Sequence, residues 1–291
     1  LSSSFEYPMT KMMSNPLFVD FPSPMCNSWL TGSLYTADAS AHVWKIDGKE
    51  ILYVYASHDM EPSLGCDRMD RYHVFSTEDM KTWTDHGEIM NAATVRKQAG
   101  WGSEGFMWAP DCAYNPEDQL YYFYFPHPEN TQNWNSTWRI GVAVSRYPDK
   151  EFTVVGYVKG MMPFIDPCVF VDDDGQPYIY NGGGGSCYGA KLSRNNWTKL
   201  ASQPVRMEGL EDFHEATWVH KYNGRYYLSH SDNNSPSKGG NMMRYAVSDS
   251  PLGPWESLGA YMYPQGVETN HGSIVSFKGK WYAVYQTANY S

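Results

Sequence analysis

No run of about 18 apolar residues occurs anywhere in the 291-residue chain, so a membrane-spanning helix is excluded. The opening stretch LSSSFEYPMTKMMSNP has neither the basic start nor the apolar core of a secretory signal. It also lacks an initiator Met, which predicts a processed or trimmed product. Basic residues are scarce: 22 Lys and Arg stand against 32 Asp and Glu, for a net charge of −10 and a pI near 5.3. That balance argues against nucleic acid and against anionic membranes as partners. Cysteines are few and unpatterned. Cys26, Cys66, Cys112, Cys168 and Cys187 are odd in number and form no CxxC pair, so they read as buried free thiols rather than a zinc site or a disulfide framework. Helical periodicity is almost absent, and phrases such as SDSPLGPW and STEDMKTW forbid long helices. Nothing in the chain specifies a compartment; a soluble protein is expected.

Aromatics, in contrast, are abundant at 16%, with 23 Tyr and 11 Trp. Many belong to one recurring unit, a polar or Gly turn followed by a Tyr-rich strand. It appears as DGKEILYVYASHD (47–59), EDQLYYFYFPHP (117–128), DDGQPYIYNGG (173–183), NGRYYLSHSD (223–232) and KGKWYAVYQT (278–287). A second unit lies between the copies: a strand ending near Ser or Thr, a polar turn, then Trp or Phe opening a last strand, as in YHVFSTEDMKTWTDHG (72–87). The turns recur about 50–70 residues apart, the spacing of four-stranded propeller blades. The spacing predicts an all-β, five-bladed β-propeller, with residues 1–291 as a single domain.

Each innermost strand begins with a polar group: Asp38 in TADAS, Asp111 in WAPDC, Asp166 in FIDPC, Glu215 in FHEAT and His271 in TNHGS. Innermost strands of a propeller surround one axis, so these five dispersed residues are expected to meet in one central pocket. NGGGGSCYG (181–189) reads as a flexible hairpin rim, since no Lys-Ser/Thr pair or helix follows it. His58 and Asp59 have no HxxxH or HExxH partner nearby, and Asp172–Asp174 reads as a solvated turn.

At the motifs ADASAHVW, MWAPDCAY, IDPCVFVDDDGQ, EATWVHKYNGRYYL and NHGSIV the sequence resembles glycoside hydrolase family 43. The resemblance runs from about Thr36 to Thr287. It implies a five-bladed propeller that releases terminal xylose or arabinose from plant-wall oligosaccharides with inversion, the β-xylosidase and α-L-arabinofuranosidase type. By the same resemblance Asp38 is the general base and Glu215 the general acid, while Asp166 tunes and orients the acid. Trp108 and His58 wall the sugar subsite. His271 matches an axial histidine that stands beside either a calcium ion or a water cluster; the chemistry itself requires no cofactor. Asp111 matches a structural position. Two departures accompany the match. Ala39 replaces the proline that usually follows the base, and an arginine expected on a strand after the His-Gly-Ser segment is not reached by Ser291. The closing strand is therefore expected either beyond residue 291 or from the amino-terminal segment. The alternatives are an endo-acting arabinanase, a propeller glycosidase of another family, or a non-catalytic carbohydrate-binding propeller.

Overall fold

The structure is a computed structural model that describes residues 35–59 and 65–286. Its strands follow one another in chain order. β1 (Tyr35–Ile46), β2 (Lys49–Asp59), β3 (Arg71–Thr77) and β4 (Trp83–Asn91) form the first antiparallel sheet. β5 (Asp111–Asn115), β6 (Leu120–Pro128), β7 (Trp138–Ser145) and β8 (Thr153–Tyr157) form the second. The third holds β9 (Ile165–Val171), β10 (Pro177–Gly183), β11 (Ser186–Ser193) and β12 (Asn196–Leu200), with the short β13 (Val205–Arg206) also on β11. The fourth holds β14 (Glu215–Tyr222), β15 (Arg225–Ser231), β16 (Met243–Ser248) and β17 (Glu256–Met262). A last pair, β18 (Gly272–Phe277) and β19 (Lys280–Tyr285), stands alone among the described residues.

The fold is thus an all-β propeller. Where the repeat spacing predicts five blades, four complete ones are present among the described residues, and the fifth set is a hairpin only. The residues that follow that hairpin from 287 on, and the expected closing strand, lie outside the described ones.

Local chemistry accounts for the hairpins. Asp47–Gly48, Asn223–Gly224 and Lys278–Gly279 are two-residue loops with φ positive at both positions, between 48° and 82°. Such primed turns match the twist of the flanking strands, and they need residues that tolerate left-handed backbone. Between β4 and β5, Ala92–Ala99 forms a helix, α1. Its caps are ordinary ones: the Asn91 side chain accepts from the Thr94 N–H, and Gly100 takes the left-handed position after the last turn.

Blades pack face to face, which explains why the second strands are apolar on both sides. Along LYYFYFPHP, Tyr121, Phe123 and Phe125 point into a core with Tyr55, Tyr72 and Val74 of the first blade. Tyr122 and Tyr124 point the other way, against Ile179, Ala190 and Trp197 of the third. Phe277 and Val284 of the last hairpin pack on Leu52, Val54 and Phe75, bringing it against the first blade. Three buried tyrosines repeat one bond. Tyr55 Oη donates to the Pro148 carbonyl (2.6 Å), Tyr124 Oη to the Trp197 carbonyl (2.7 Å) and Tyr180 Oη to the Pro251 carbonyl (2.5 Å). In each case the second strand of one blade grips the outer turn, or the strand opening from it, of the next. The inner strands β1, β5, β9, β14 and β18 together line a cavity of about 620 Å³ around the axis.

The latches give a direct test. Tyr124→Phe keeps the ring packing but strands a buried carbonyl, so unfolding free energy should fall by about 1–3 kcal/mol. Urea denaturation of the variant with an unchanged m-value is the expected result.

Candidate active site

Three of the inner strands are bulged where they begin. Register shifts fall between Ala37 and Ser40, opposite Ile165–Cys168, and between Glu215 and Trp218. At those points Asp38 (φ 57°), Asp166 (φ 55°) and Ala216 (φ 65°) take left-handed backbone, which costs about 1 kcal/mol or more for a residue with a Cβ. Each bulge re-aims a side chain that a regular strand would send elsewhere. The three blades so distorted are those carrying Asp38, Asp166 and Glu215.

β5 pairs in regular register and its acid does different work. Asp111 is 1% exposed. Its Oδ1 accepts from Ser40 Oγ (2.7 Å) and lies 2.5 Å from His42 Nε2, while Oδ2 accepts from the Val169 N–H (2.6 Å). It ties three inner strands together, in keeping with a structural position.

The other acids are electrically in reach of one another. Asp38 Oδ2 accepts from Ser57 Oγ (2.6 Å), and its N–H donates to Gln286 Oε1 (2.7 Å). Burial pushes its carboxyl up to about 6, against the lowering effect of the Ser57 bond. Glu215 is pushed up to about 7, by burial and then by the Asp38 charge. Asp166 is only 3% exposed, and its Oδ2 accepts from the Ala216 N–H (2.7 Å). Burial, then Glu215, then Asp38 raise its pKa well above the ordinary range. The Asp38 and Glu215 side chains keep 14% and 15% of their surface, so a substrate can reach them. Asp166 is sealed, and it grips the amide next to Glu215.

The remaining sequence candidates surround this group. His271 is buried, with Nδ1 3.8 Å from Asp38 Oδ1, and burial lowers its pKa to about 4, so it is neutral. Trp108 is half-buried; its Nε1 donates to the Cys66 carbonyl (2.7 Å), and the Glu215 charge is felt at the Cys66 thiol. His58 Nδ1 lies 3.2 Å from Asp70 Oδ1. Asp70 is in turn held by two bonds from Arg71. Although burial pushes the other way, bonds from Arg71 and His58 keep Asp70 below its ordinary value.

Sequence reasoning missed three groups. Asp59 is raised to about 6 by burial and by Asp38, so a fourth carboxyl belongs to the acid cluster. Ser57 holds the Asp38 carboxylate. His214 Nε2 stands 3.8 Å from Glu215 Oε2. The stretch YASHD carried a usable signal: alternation along a strand puts Ser57 and Asp59 on the same side. Among the described residues no group of three or more His, Cys, Asp and Glu side chains could hold a metal ion. Cys112, Cys168 and Cys187 are buried free thiols, whereas Cys66 is exposed; Cys26 lies outside the described residues.

Residues 37–291 match the family model for glycosyl hydrolases family 43. A xylosidase/arabinosidase of Humicola insolens is 35% identical, the match covering 90% of each chain. A xylosidase/arabinosidase of Bacteroides ovatus is 32% identical over 85% of this chain and 84% of its own. Among solved structures, a GH43_1 enzyme from Xanthomonas citri superposes with a TM-score of 0.74 at 31% identity, covering 88% of this chain and 82% of that one.

The electrostatics predict a titration. Carboxyl carbon shifts of Asp38 and Glu215 should move with midpoints near 6 and 7. Asp38→Asn removes the neighbouring negative charge, so the Glu215 midpoint should fall. An unmoved midpoint in carbon-13 NMR would show that burial alone sets it.

Proposed function

Since the chain belongs to glycosyl hydrolase family 43, we propose that it releases terminal xylose or arabinose from plant-wall oligosaccharides with inversion. The observation that carries this reading is the pair of reachable acids, Asp38 and Glu215, brought from different blades to one axis with pKa values pushed to about 6 and 7. In an inverting hydrolysis one carboxylic acid protonates the leaving oxygen while a carboxylate about 6.5–9.5 Å away activates water on the opposite face. Glu215, protonated up to near neutrality, gives its proton to the glycosidic oxygen as the C–O bond breaks. Asp38, ionised above about 6, takes a proton from the water whose oxygen bonds to the anomeric carbon. Asp166 is a positioning residue: its bond to the Ala216 N–H holds the bulge that aims Glu215.

Two further features belong to the same proposal. The last hairpin is the inner half of a fifth blade. Supporting this, β18 lines the axial cavity alongside the other four inner strands, and β18–β19 is joined by the same primed turn. Trp108 and His58 wall the sugar subsite and crowd the hydroxymethyl group of a hexose, so pentosides are preferred.

Activity should follow a narrow bell. It rises as Asp38 loses its proton through about 6 and falls as Glu215 loses its proton through about 7. Glu215→Gln should slow oligosaccharides by about 100-fold or more, while aryl pentosides with good leaving groups lose far less. Asp38→Asn should stop both. Proton NMR should show the inverted anomer first; retention of configuration, or an active Asp38→Asn enzyme, would reject the assignment.

The resemblance also implies either a calcium ion or a water cluster beside His271, and we take the ion as the reading to test. The donor set there is one neutral imidazole, which suits an ion surrounded mainly by water rather than a cage of protein ligands. When bound, such an ion would add positive charge beneath the acids. Chelation should then lower the melting temperature; an unchanged transition and unchanged activity would remove the ion from the proposal.

A further inference from the structure

A string of side chains of alternating charge crosses the first blade and ends beside Asp38. Its outer end is Asn91, the cap of α1, whose Nδ2 donates to Glu88 Oε1. Arg71 Nη1 stands 3.5 Å from Glu88 Oε2. Arg71 also gives two bonds to Asp70, Nε to Oδ1 (3.0 Å) and Nη2 to Oδ2 (2.8 Å). Asp70 Oδ1 lies 3.2 Å from His58 Nδ1. Asp59 comes next, and it feels both Asp38 and His58.

Strand register puts Asp59 where it can act on Asp38. β1 and β2 pair with Ala37 opposite Ser57 and Tyr35 opposite Asp59. Ser57 Oγ crosses that pairing to Asp38 Oδ2 (2.6 Å). Residues two apart on a strand share a face and stand about 7 Å apart, so Asp59 leaves β2 on the Asp38 side. It is half-buried, where water screens charge less than in bulk. Along the string, Asp70 lies between His58 and Arg71, and Glu88 faces Arg71. Asp59 differs, because one of its two neighbours is a carboxyl. Repulsion between two carboxyls belongs to the pair, so what Asp38 does to Asp59, Asp59 does to Asp38.

The other groups around Asp38 already have work. Tyr72 of β3, Asp166 of β9 and Glu215 of β14 feel its charge, and His271 Nδ1 is 3.8 Å from its Oδ1. Tyr72 Oη donates to the Trp108 carbonyl, and His271 is neutral. Asp166 holds the amide beside Glu215. Asp59 is the carboxyl that faces Asp38 from its own blade.

We propose that Asp59 is a positioning residue for the base: held at the end of the Arg71–Asp70–His58 string, its charge acts on Asp38 and sets the acidic edge of the working pH range. This rests on the reading of Asp38 as the general base. The two catalytic carboxyls then have one acidic neighbour each, Asp166 for Glu215 and Asp59 for Asp38. A negative charge beside the base makes it hold a proton more strongly, so it draws one more readily from water. The same charge delays its ionisation as pH rises.

The test is Asp59→Asn, which removes the charge and keeps the shape. Asp38 should then ionise earlier. The acidic limb of kcat/KM, measured on an aryl glycoside of whichever pentose the enzyme releases, should move down by about half a pH unit or more. The basic limb, set by Glu215, should stay in place, and Asp59→Glu should restore the acidic limb. An unmoved acidic limb in Asp59→Asn overturns the proposal. A reciprocal titration needs no Asp59 variant: in Asp38→Asn the Asp59 carboxyl carbon, with a midpoint near 6 in the wild type, should titrate at lower pH. An unmoved Asp59 midpoint overturns the proposal as well. Either failure leaves the proposed function standing, since that is judged by the anomer released and by the loss of activity in Asp38→Asn. An active Asp38→Asn enzyme overturns both readings together.

Discussion

Repulsion among buried carboxyls is the constraint from which the other features follow. Asp38, Asp59, Asp166 and Glu215 are all raised by burial; the Asp38 charge raises the other three further, and Glu215 raises Asp166. Left to itself such a group would spread apart or fill with water. Here Asp38, Asp166 and Glu215 come from separate blades, and two of them are fixed by bonds to hydroxyl and backbone groups: Ser57 on Asp38, the Ala216 amide on Asp166. Strained backbone at three strand starts is part of the same arrangement, because only a bulge turns those side chains inward.

What resists the repulsion is packing at some distance from it. Each interblade core is built from rings and branched aliphatics of two neighbouring sheets, and aromatic burial supplies much of the area removed from water. Tyr55, Tyr124 and Tyr180 add a directional bond across three of those seams. Asp111 does at the centre what the tyrosines do further out, with one carboxylate bonded into three strands. The acids can be unstable in themselves because the frame around them is not.

Much of this was legible in the sequence, and the reasons are physical. A primed two-residue hairpin demands left-handed backbone twice, so Asp-Gly, Asn-Gly and Lys-Gly mark their own positions between strands. The acids were legible through recurrence at equivalent strand starts. The bulges were not, because a bulge is a property of two strands in register, and one strand read alone does not reveal its partner. Asp59 was hidden for a related reason: it lies in a second strand, and only the pairing of β2 with β1 brings it beside Asp38. The α1 helix was shorter than any periodic signal, although Asn91 and Gly100 bracketed it.

The contact between the last hairpin and the first blade sets when, during synthesis, Asp38 is held in place. Ser273 Oγ donates to the Ala39 carbonyl (2.9 Å) and accepts from the Ala41 N–H (3.0 Å), while Gln286 holds the Asp38 amide across 248 residues of chain. The backbone around Asp38 is thus braced by a segment more than 230 residues later in the sequence. Blades emerging from the ribosome can stack one on the next, but Asp38 is not braced in this way until residues 273–286 have been made and have docked on the first blade.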